Sequence, residues 1–211
     1  MIRVFIVDDH SIFREGVKRI VDGCPDMKVA GESGNGRDAL KKILQNEYEV
    51  ILLDLSLPGM DGFDLLCAIK AKKPALPVLI LSIYPEEDYA VRMHKEGASG
   101  YLNKESLPNE LIVAIRKAVS GKRYISDSLG EKLVGKEMSG VDKNKLHQNL
   151  TNREYQVFHM IATGKTVKEI AGELCLAPST ISTYRARILE KMYMKTNRDI
   201  IHYAIENGLD Y

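Results

Sequence analysis

The sequence predicts an α/β protein in two parts: a (βα)5 doubly wound parallel-sheet domain and, beyond a linker, a small all-α domain of four helices. Three observations carry that expectation. Through residues 1–120, short β-branched runs alternate with longer stretches of helical spacing, the mark of βαβ units. Three of the runs are apolar throughout instead of alternating, as strands are when helices cover both faces of the sheet. After a polar interval, residues 151–211 carry one helix start signal after another and no strand pattern.

The strands are expected at Val4–Val7, Val29–Ala30, Val50–Leu53, Val78–Leu81 and Gly100–Leu102, the first, third and fourth being the uninterrupted apolar ones. Helical faces follow from Phe13, Val17, Ile20 and Val21, then Ala39, Leu40, Ile43 and Leu44, then Leu65, Leu66 and Ile69, then Leu111, Ile112, Ile115 and Val119. Ser128–Val134 could form a short helix. Residues 135–148, GKEMSGVDKNKLHQ, are polar without apolar period and read as linker. In the last part, Thr151-x-x-Glu154 and Thr166-x-x-Glu169 are capping boxes. Pro178 suits a first helical turn and Thr196-x-x-Asp199 could start a fourth helix. The breaks fall at Gly164, Leu176–Pro178 and Met194–Thr196. The domain limits read from these signals are 1–122, 123–148 and 149–211.

The chain has 211 residues, of which 45% are hydrophobic and 28% charged, excluding a disordered or fibrous protein. With 30 Lys+Arg against 29 Asp+Glu there is no overall basic coat, so attraction for polyanions must be local. The window 179–198 supplies it: Arg185, Arg187, Lys191, Lys195 and Arg198 stand against Glu190 alone. Cys24, Cys67 and Cys175 lack metal-ligand spacing and read as buried small apolar side chains in a reducing cytosol. In MIRVFIVDDH the apolar run is broken by Asp8 and Asp9 too early for a signal peptide. No apolar run approaches the ~20 residues of a membrane helix, so a cytoplasmic protein without membrane contact is expected.

Ligands of parallel α/β sheets sit at the carboxyl ends of the strands. Asp8 and Asp9 end the first strand, Asp54 the third and Ser82 the fourth, and Lys104 follows the fifth. Clustered carboxylates repel one another unless a cation lies among them, and all-oxygen donors suit a hard ion such as Mg²⁺.

The ordered pattern IVDDH, LLDLSLPGMDG, LILS and GYLNK resembles the receiver domain of two-component response regulators over residues 2–120. The resemblance implies that Asp54 accepts a phosphoryl group from a sensor histidine kinase, becoming a 4-aspartylphosphate. It implies that Asp9, Asp54 and the backbone carbonyl of Ser56 ligate Mg²⁺ with help from Asp8, and that Ser82 and Lys104 grip the phosphoryl oxygens. Ser82 and Tyr101 would form a two-state switch, Tyr101 turning inward as Ser82 moves toward the phosphoryl group. Ser56 and Tyr84 occupy positions that tune hydrolysis of the acyl phosphate, where the bulk of Tyr84 is expected to hinder water. The turn Pro58–Gly62 is read as structural support for the Asp54 strand end.

Thr166–Leu176 followed by Pro178–Met192 has the form of a helix-turn-helix. Ile170, Ala171 and Leu174 give the first helix an apolar face, as Ile181, Ile188, Leu189 and Met192 do the second. The opposite face of the second carries Ser179, Ser182, Thr183, Ala186, Arg187 and Glu190, small hydroxyl residues among arginines, suited to a major groove. The segment from Leu150 to Met192 resembles the LuxR-type DNA-binding domain, the likeness extending over about 149–208. Together the two parts resemble the NarL/FixJ class of transcriptional response regulators. Ser182 and Tyr184 depart from the Lys and His common there, which points to a different sequence preference, and Ala177 stands where a Ser cap is usual. Ser182, Thr183 and Ala186 are assigned to base edges, Thr180, Arg187 and Lys191 to phosphates, and Arg185 to either.

One short helix reads DNA weakly, so a homodimer, enhanced by phosphorylation, on double-stranded promoter DNA is expected. The resemblance places the dimer contact on about Arg198–Asn207, although Ile200, Ile201, Ala204 and Ile205 could equally pack inside the bundle. Two rivals stand beside this reading. One is a Mg²⁺-dependent aspartyl-phosphate phosphatase, against which Ser56 occupies the place of the second Asp of a DxD motif. The other is a receiver whose helical tail binds protein.

Overall fold

The computed structural model describes residues 1–83, 86–104, 107–126 and 146–209. The chain divides into two compact units, Met1–Ser139 and Gly140–Tyr211.

In the first unit, strands and helices alternate as β1 (Ile2–Val7), α1 (Ser11–Asp22), β2 (Met27–Ser33), α2 (Gly36–Gln45), β3 (Val50–Asp54), α3 (Gly62–Lys72), β4 (Val78–Ser82), α4 (Glu86–Lys95), β5 (Gly100–Asn103) and α5 (Leu107–Val119). The five strands form one parallel sheet in the order β2-β1-β3-β4-β5. Every residue of β3 and β4 is buried, as their unbroken apolar runs require. Val17 and Val21 of α1 join Leu111, Ile115 and Ala118 of α5 over Val4, Ile6, Leu52, Leu79 and Leu81 in one core.

Local departures from expectation have plain causes. β2 is seven residues long, extending well beyond Val29–Ala30, because its middle is only half-buried and carries no apolar run. In α2 the buried stripe is Gly36, Ala39 and Ile43, while Leu44 is 41% exposed: a short surface helix buries an i, i+4 row rather than a band of four. Helix α4 has no counterpart among the expected faces, since its acidic start and basic end obscure its period. The cysteines are free, but none is fully buried, and Cys175 is exposed in a left-handed turn conformation (φ 51°).

The turn after β3 is built on a contact only glycine allows. Gly62 donates its backbone N–H to the Leu55 carbonyl at 3.0 Å. A Cβ on Gly62 would lie 2.0 Å from the Asp54 carbonyl oxygen and 2.7 Å from the Leu55 Cα. Asp61, accepting the Asp64 N–H at 2.7 Å, caps α3 at the same point. Gly62→Ala is therefore expected to destabilise the first unit by about 3 kcal/mol, because backbone cannot yield as a flexible side chain does. Gly16→Ala, mid-helix with open space around it, should instead stabilise by about 0.5–1 kcal/mol. Urea unfolding of both variants checks the pair, and a Gly62→Ala protein as stable as its parent would contradict the packing argument.

The second unit holds a 3-10 turn (Leu146–Asn149) and helices α6 (Asn152–Ala162), α7 (Val167–Glu173), α8 (Pro178–Lys191) and α9 (Asn197–Glu206). Thr151, Thr166 and Thr196 each form a reciprocal capping box, the last with Asp199 in the role usually given to Glu. Helix α8 begins with Pro178 in its first turn and no side-chain cap from Ala177. The expected apolar faces of α7 and α8 are buried. Ile200 and Ala204 pack inside the bundle, whereas Ile205 is 57% exposed. Tyr155, Phe158 and Tyr203 form an aromatic cluster against His147, whose Nδ1 shares a 2.9 Å hydrogen bond with the Tyr203 hydroxyl.

The ends of the expected linker are packed. Tyr124 belongs to the core of the first unit and pairs with Gly100 at the sheet edge, while His147 is buried in the second. The expected helix at Ser128–Val134 and residues 135–145 lie outside the described residues. Among the described residues, no helix is long and apolar enough to cross a membrane.

Candidate functional site

The strand order turns back between β1 and β3, and the side chains expected to form the site gather at the carboxyl ends of the strands. Asp8 and Asp9 follow β1, Asp54 is the last residue of β3, Ser82 the last of β4, and Lys104 follows β5. The Lys104 backbone N–H donates to the Ser82 carbonyl at 2.8 Å, continuing the β4–β5 ladder one step past the strand. This register turns the lysine inward. Its ammonium donates to Asp8 Oδ2 at 2.7 Å and Asp54 Oδ2 at 2.8 Å, and lies 4.5 Å from the centre of the Phe13 ring.

The remaining oxygens are held by backbone and neighbours. Asp54 Oδ1 accepts the Ser56 N–H at 3.2 Å, and Asp8 Oδ1 accepts the His10 N–H at 2.8 Å. Arg14 donates to the Asp8 carbonyl at 2.7 Å. Asp9 sits at the rim, its Oδ1 2.8 Å from His10 Nδ1. The sequence marks Phe13 only as part of an apolar helix face, and the adjacency of His10 to Asp8-Asp9 is its one signal for the places of His10 and Arg14 at this site. Ser82 and Tyr101 are buried, Tyr101 completely. Tyr84 lies outside the described residues.

Burial is the main influence on Asp54 and pushes its carboxyl up to about 6, opposed by Lys104 and reinforced by Asp8. Burial also works against the Lys104 ammonium, but Asp54 and Asp8 together outweigh it and hold Lys104 above the ordinary lysine value. The pocket thus contains a carboxylate short of positive charge. Donor atoms of Asp8, Asp9, His10 and Asp54 all lie within 4.8 Å of one another. This oxygen-rich set fits a hard divalent cation, with His10 the one nitrogen in the group.

In the second unit, Ser179, Ser182, Thr183, Ala186, Arg187 and Glu190 form the exposed face of α8. The Ser182 and Thr183 hydroxyls donate to the Pro178 and Ser179 carbonyls, each at 3.0 Å. Arg187 has no ion-pair partner among the described residues, but Arg185 and Lys191 are engaged. Arg185 Nε donates to Asn197 Oδ1 at 2.5 Å. Lys191 Nζ donates to Glu154 Oε2 at 2.6 Å. The Glu154 side chain is only 3% exposed, and its burial is outweighed by Lys191 and Thr151, which hold the carboxyl below its usual range. Thr180 is half-buried.

A parallel sheet with this acidic pocket, followed by this four-helix unit, defines a class, and the chain belongs to it: it is a response regulator of the NarL/FixJ class. Residues 4–116 match the response regulator receiver domain, and residues 148–204 match the luxR family of bacterial regulatory proteins. The chain is 33% identical to the response regulator UvrY of Escherichia coli K12, over 99% of this chain and 96% of UvrY. It is 31% identical to the response regulator GacA of Pseudomonas aeruginosa, over 99% of this chain and 98% of GacA. The RcsB response regulator of Salmonella typhimurium shares the fold, with a TM-score of 0.60 and 24% identity over 96% of this chain and 97% of that one.

Proposed function

We propose that this protein is a phosphorylation-dependent regulator of transcription that takes a phosphoryl group on Asp54 from a sensor histidine kinase and reads promoter DNA through α8. The observation that carries the reading is the Lys104 ammonium bridging Asp8 and Asp54 at the strand ends. In the transfer, an Asp54 carboxylate oxygen attacks phosphorus and the donor's N–P bond breaks, its electron pair leaving with the imidazole nitrogen. Lys104 neutralises charge on the incoming oxygens, and Ser82 supplies a hydroxyl at the neighbouring strand end. Asp9, Asp54 and the Ser56 carbonyl, with Asp8 behind them, would hold Mg²⁺, which when bound supplies charge neutralisation in the same pocket. Ser82 and Tyr101 are the two-state pair; Tyr101, expected to turn inward on phosphorylation, already stands fully inside in this structure.

This chemistry modifies the protein once and does not turn over a substrate. Acetyl phosphate with Mg²⁺ should add one phosphoryl group per chain, on Asp54, as read by mass spectrometry. Repeated turnover of small phosphate esters would instead favour a phosphatase.

On the DNA side, Ser182, Thr183 and Ala186 face base edges, while Thr180 and Arg187 contact phosphates. Arg185 and Lys191, already engaged, chiefly hold α8 in place while lending it positive charge. The active form is a homodimer, with Ile205 on the exposed side of α9 as a contact. The work lies with double-stranded DNA in the cytoplasm. Arg187→Ala should weaken binding alike across sequences and flatten the log–log salt dependence by roughly one unit. Changed sequence preference with an unchanged salt slope would reassign Arg187 to a base edge.

A further inference from the structure

His10 stands at the N-cap of α1, in extended backbone (φ −83°, ψ 102°), yet its side chain caps nothing. Ser, Thr, Asp and Asn are the residues that ordinarily close a first turn from this position. Packing does not account for the ring either, since the side chain is 69% exposed. The ring instead turns to carboxylates. Its Nδ1 lies 2.8 Å from Asp9 Oδ1 and 3.5 Å from Asp8 Oδ1. Lys104 takes the Oδ2 atoms of Asp8 and Asp54. The Oδ1 atoms of the same two residues accept the backbone N–H groups of His10 and Ser56, and a carboxylate oxygen can take a second partner. The imidazole nitrogen is thus set beside the Asp8 oxygen that Lys104 does not touch.

The spacing is that of a coordination shell. Two donors at right angles, each about 2.1 Å from an ion, stand about 3 Å apart. The His10–Asp9 separation matches that distance, and donor atoms of Asp8, Asp9, His10 and Asp54 all fall within 4.8 Å of one another. Donor chemistry then decides among ions. Mg²⁺ keeps to oxygen and sheds its water reluctantly, whereas Ni²⁺ and Zn²⁺ accept imidazole. A nitrogen added to three carboxylates strengthens the pocket for the second group alone. We propose that His10 is a nitrogen ligand of this pocket and tilts its selectivity from Mg²⁺ toward divalent transition ions. The proposal rests on the pocket holding a divalent cation, and it deepens that reading by naming the residue that chooses among cations. An ion pair between His10 and Asp9 alone would give no such choice.

The test is calorimetry of the untagged, unphosphorylated full chain, titrated with Ni²⁺ in rising concentrations of Mg²⁺. Only the Mg²⁺-displaceable heat is counted, so that binding elsewhere on the chain drops out, and the displacement gives both affinities. His10→Ala should lower the ratio of Ni²⁺ to Mg²⁺ affinity roughly 10–100-fold, the scale on which even groups that merely support a ligand act. Its Mg²⁺ affinity should stay within about twofold of the parent's, because no oxygen donor is lost. His10→Asn, which returns a capping oxygen to α1 without an imidazole, should give the same lowered ratio and so separates ligation from any effect on the helix start. An unchanged ratio in both variants, or an equal loss for both ions, makes His10 a neighbour or a prop of Asp9 and overturns the proposal while leaving the cation pocket intact. Ni²⁺ that Mg²⁺ cannot displace from a parent that binds Mg²⁺ also overturns it. A parent that binds neither ion overturns the cation pocket as well.

Discussion

Lys104→Met is expected to destabilise the first unit by about 3–5 kcal/mol, the cost of stripping one partner from a buried ion pair. The size follows from burial: the side chains of Asp8 and Asp54 are 0% and 3% exposed and that of Lys104 is 11% exposed. Methionine is apolar and of similar length, so what is lost is the charge. Two carboxylates are then left facing each other with little water. Millimolar Mg²⁺ should recover part of the loss, because a bound cation neutralises the same oxygens. Urea unfolding with and without Mg²⁺ measures both effects. A variant as stable as its parent would mean that Lys104 is not compensating those carboxylates. The same variant should also accept the phosphoryl group far more slowly.

Asp54→Asn should act in opposite directions on function and stability. Phosphoryl uptake should disappear, since the amide lacks the nucleophilic carboxylate. Stability above pH 7 should rise by as much as about 3 kcal/mol in protein free of divalent cations. The unfolded carboxyl releases its proton near 3.8, whereas burial delays release in the folded protein to about 6. Between these values the folded state binds more protons, so the Asp54 contribution to stability falls as pH rises through that window and is flat above it. Asparagine cannot ionise, and Lys104 retains Asp8. The stability gap between variant and parent should therefore open from pH 4 to 6. A gap that is constant with pH, or a variant less stable than its parent at pH 7.5, would show that ionised Asp54 is not held at a cost.

Much of this arrangement is legible in the sequence because strand ends are informative. Asp54 closes an unbroken apolar run, Ser82 closes another, and Lys104 falls just after the short fifth strand, so the parallel-sheet rule alone collects them. Capping boxes are legible for a similar reason: Thr151 and Glu154 announce themselves by spacing. What stayed hidden depends on distant parts of the chain. Nothing local to Gly62 reveals that a Cβ there would stand two ångströms from the Asp54 carbonyl oxygen. The return of Tyr124 to Gly100 joins residues 24 apart through one edge pairing, with no periodic pattern to betray it. Lys191 reads as a surface cation in a basic helix, and only the folded bundle brings Glu154 beneath it, 37 residues away in sequence. Leu44 shows the opposite error, an apolar residue that belongs to a pattern but not to the core.

The Glu154–Lys191 pair has a broader consequence. One carboxylate closes the first turn of α6 and grips the last residue of α8, while Arg185 clasps Asn197 at the start of α9. A probe fastened to two of its neighbours meets its target already in shape, and little ordering entropy is lost on contact. The counterpart of such stiffness is that a single head cannot mould itself to a preferred operator. In the proposed dimer, the spacing of two such heads along the duplex adds to what Ser182, Thr183 and Ala186 discriminate at the base edges, and that spacing is set by the pairing of protomers.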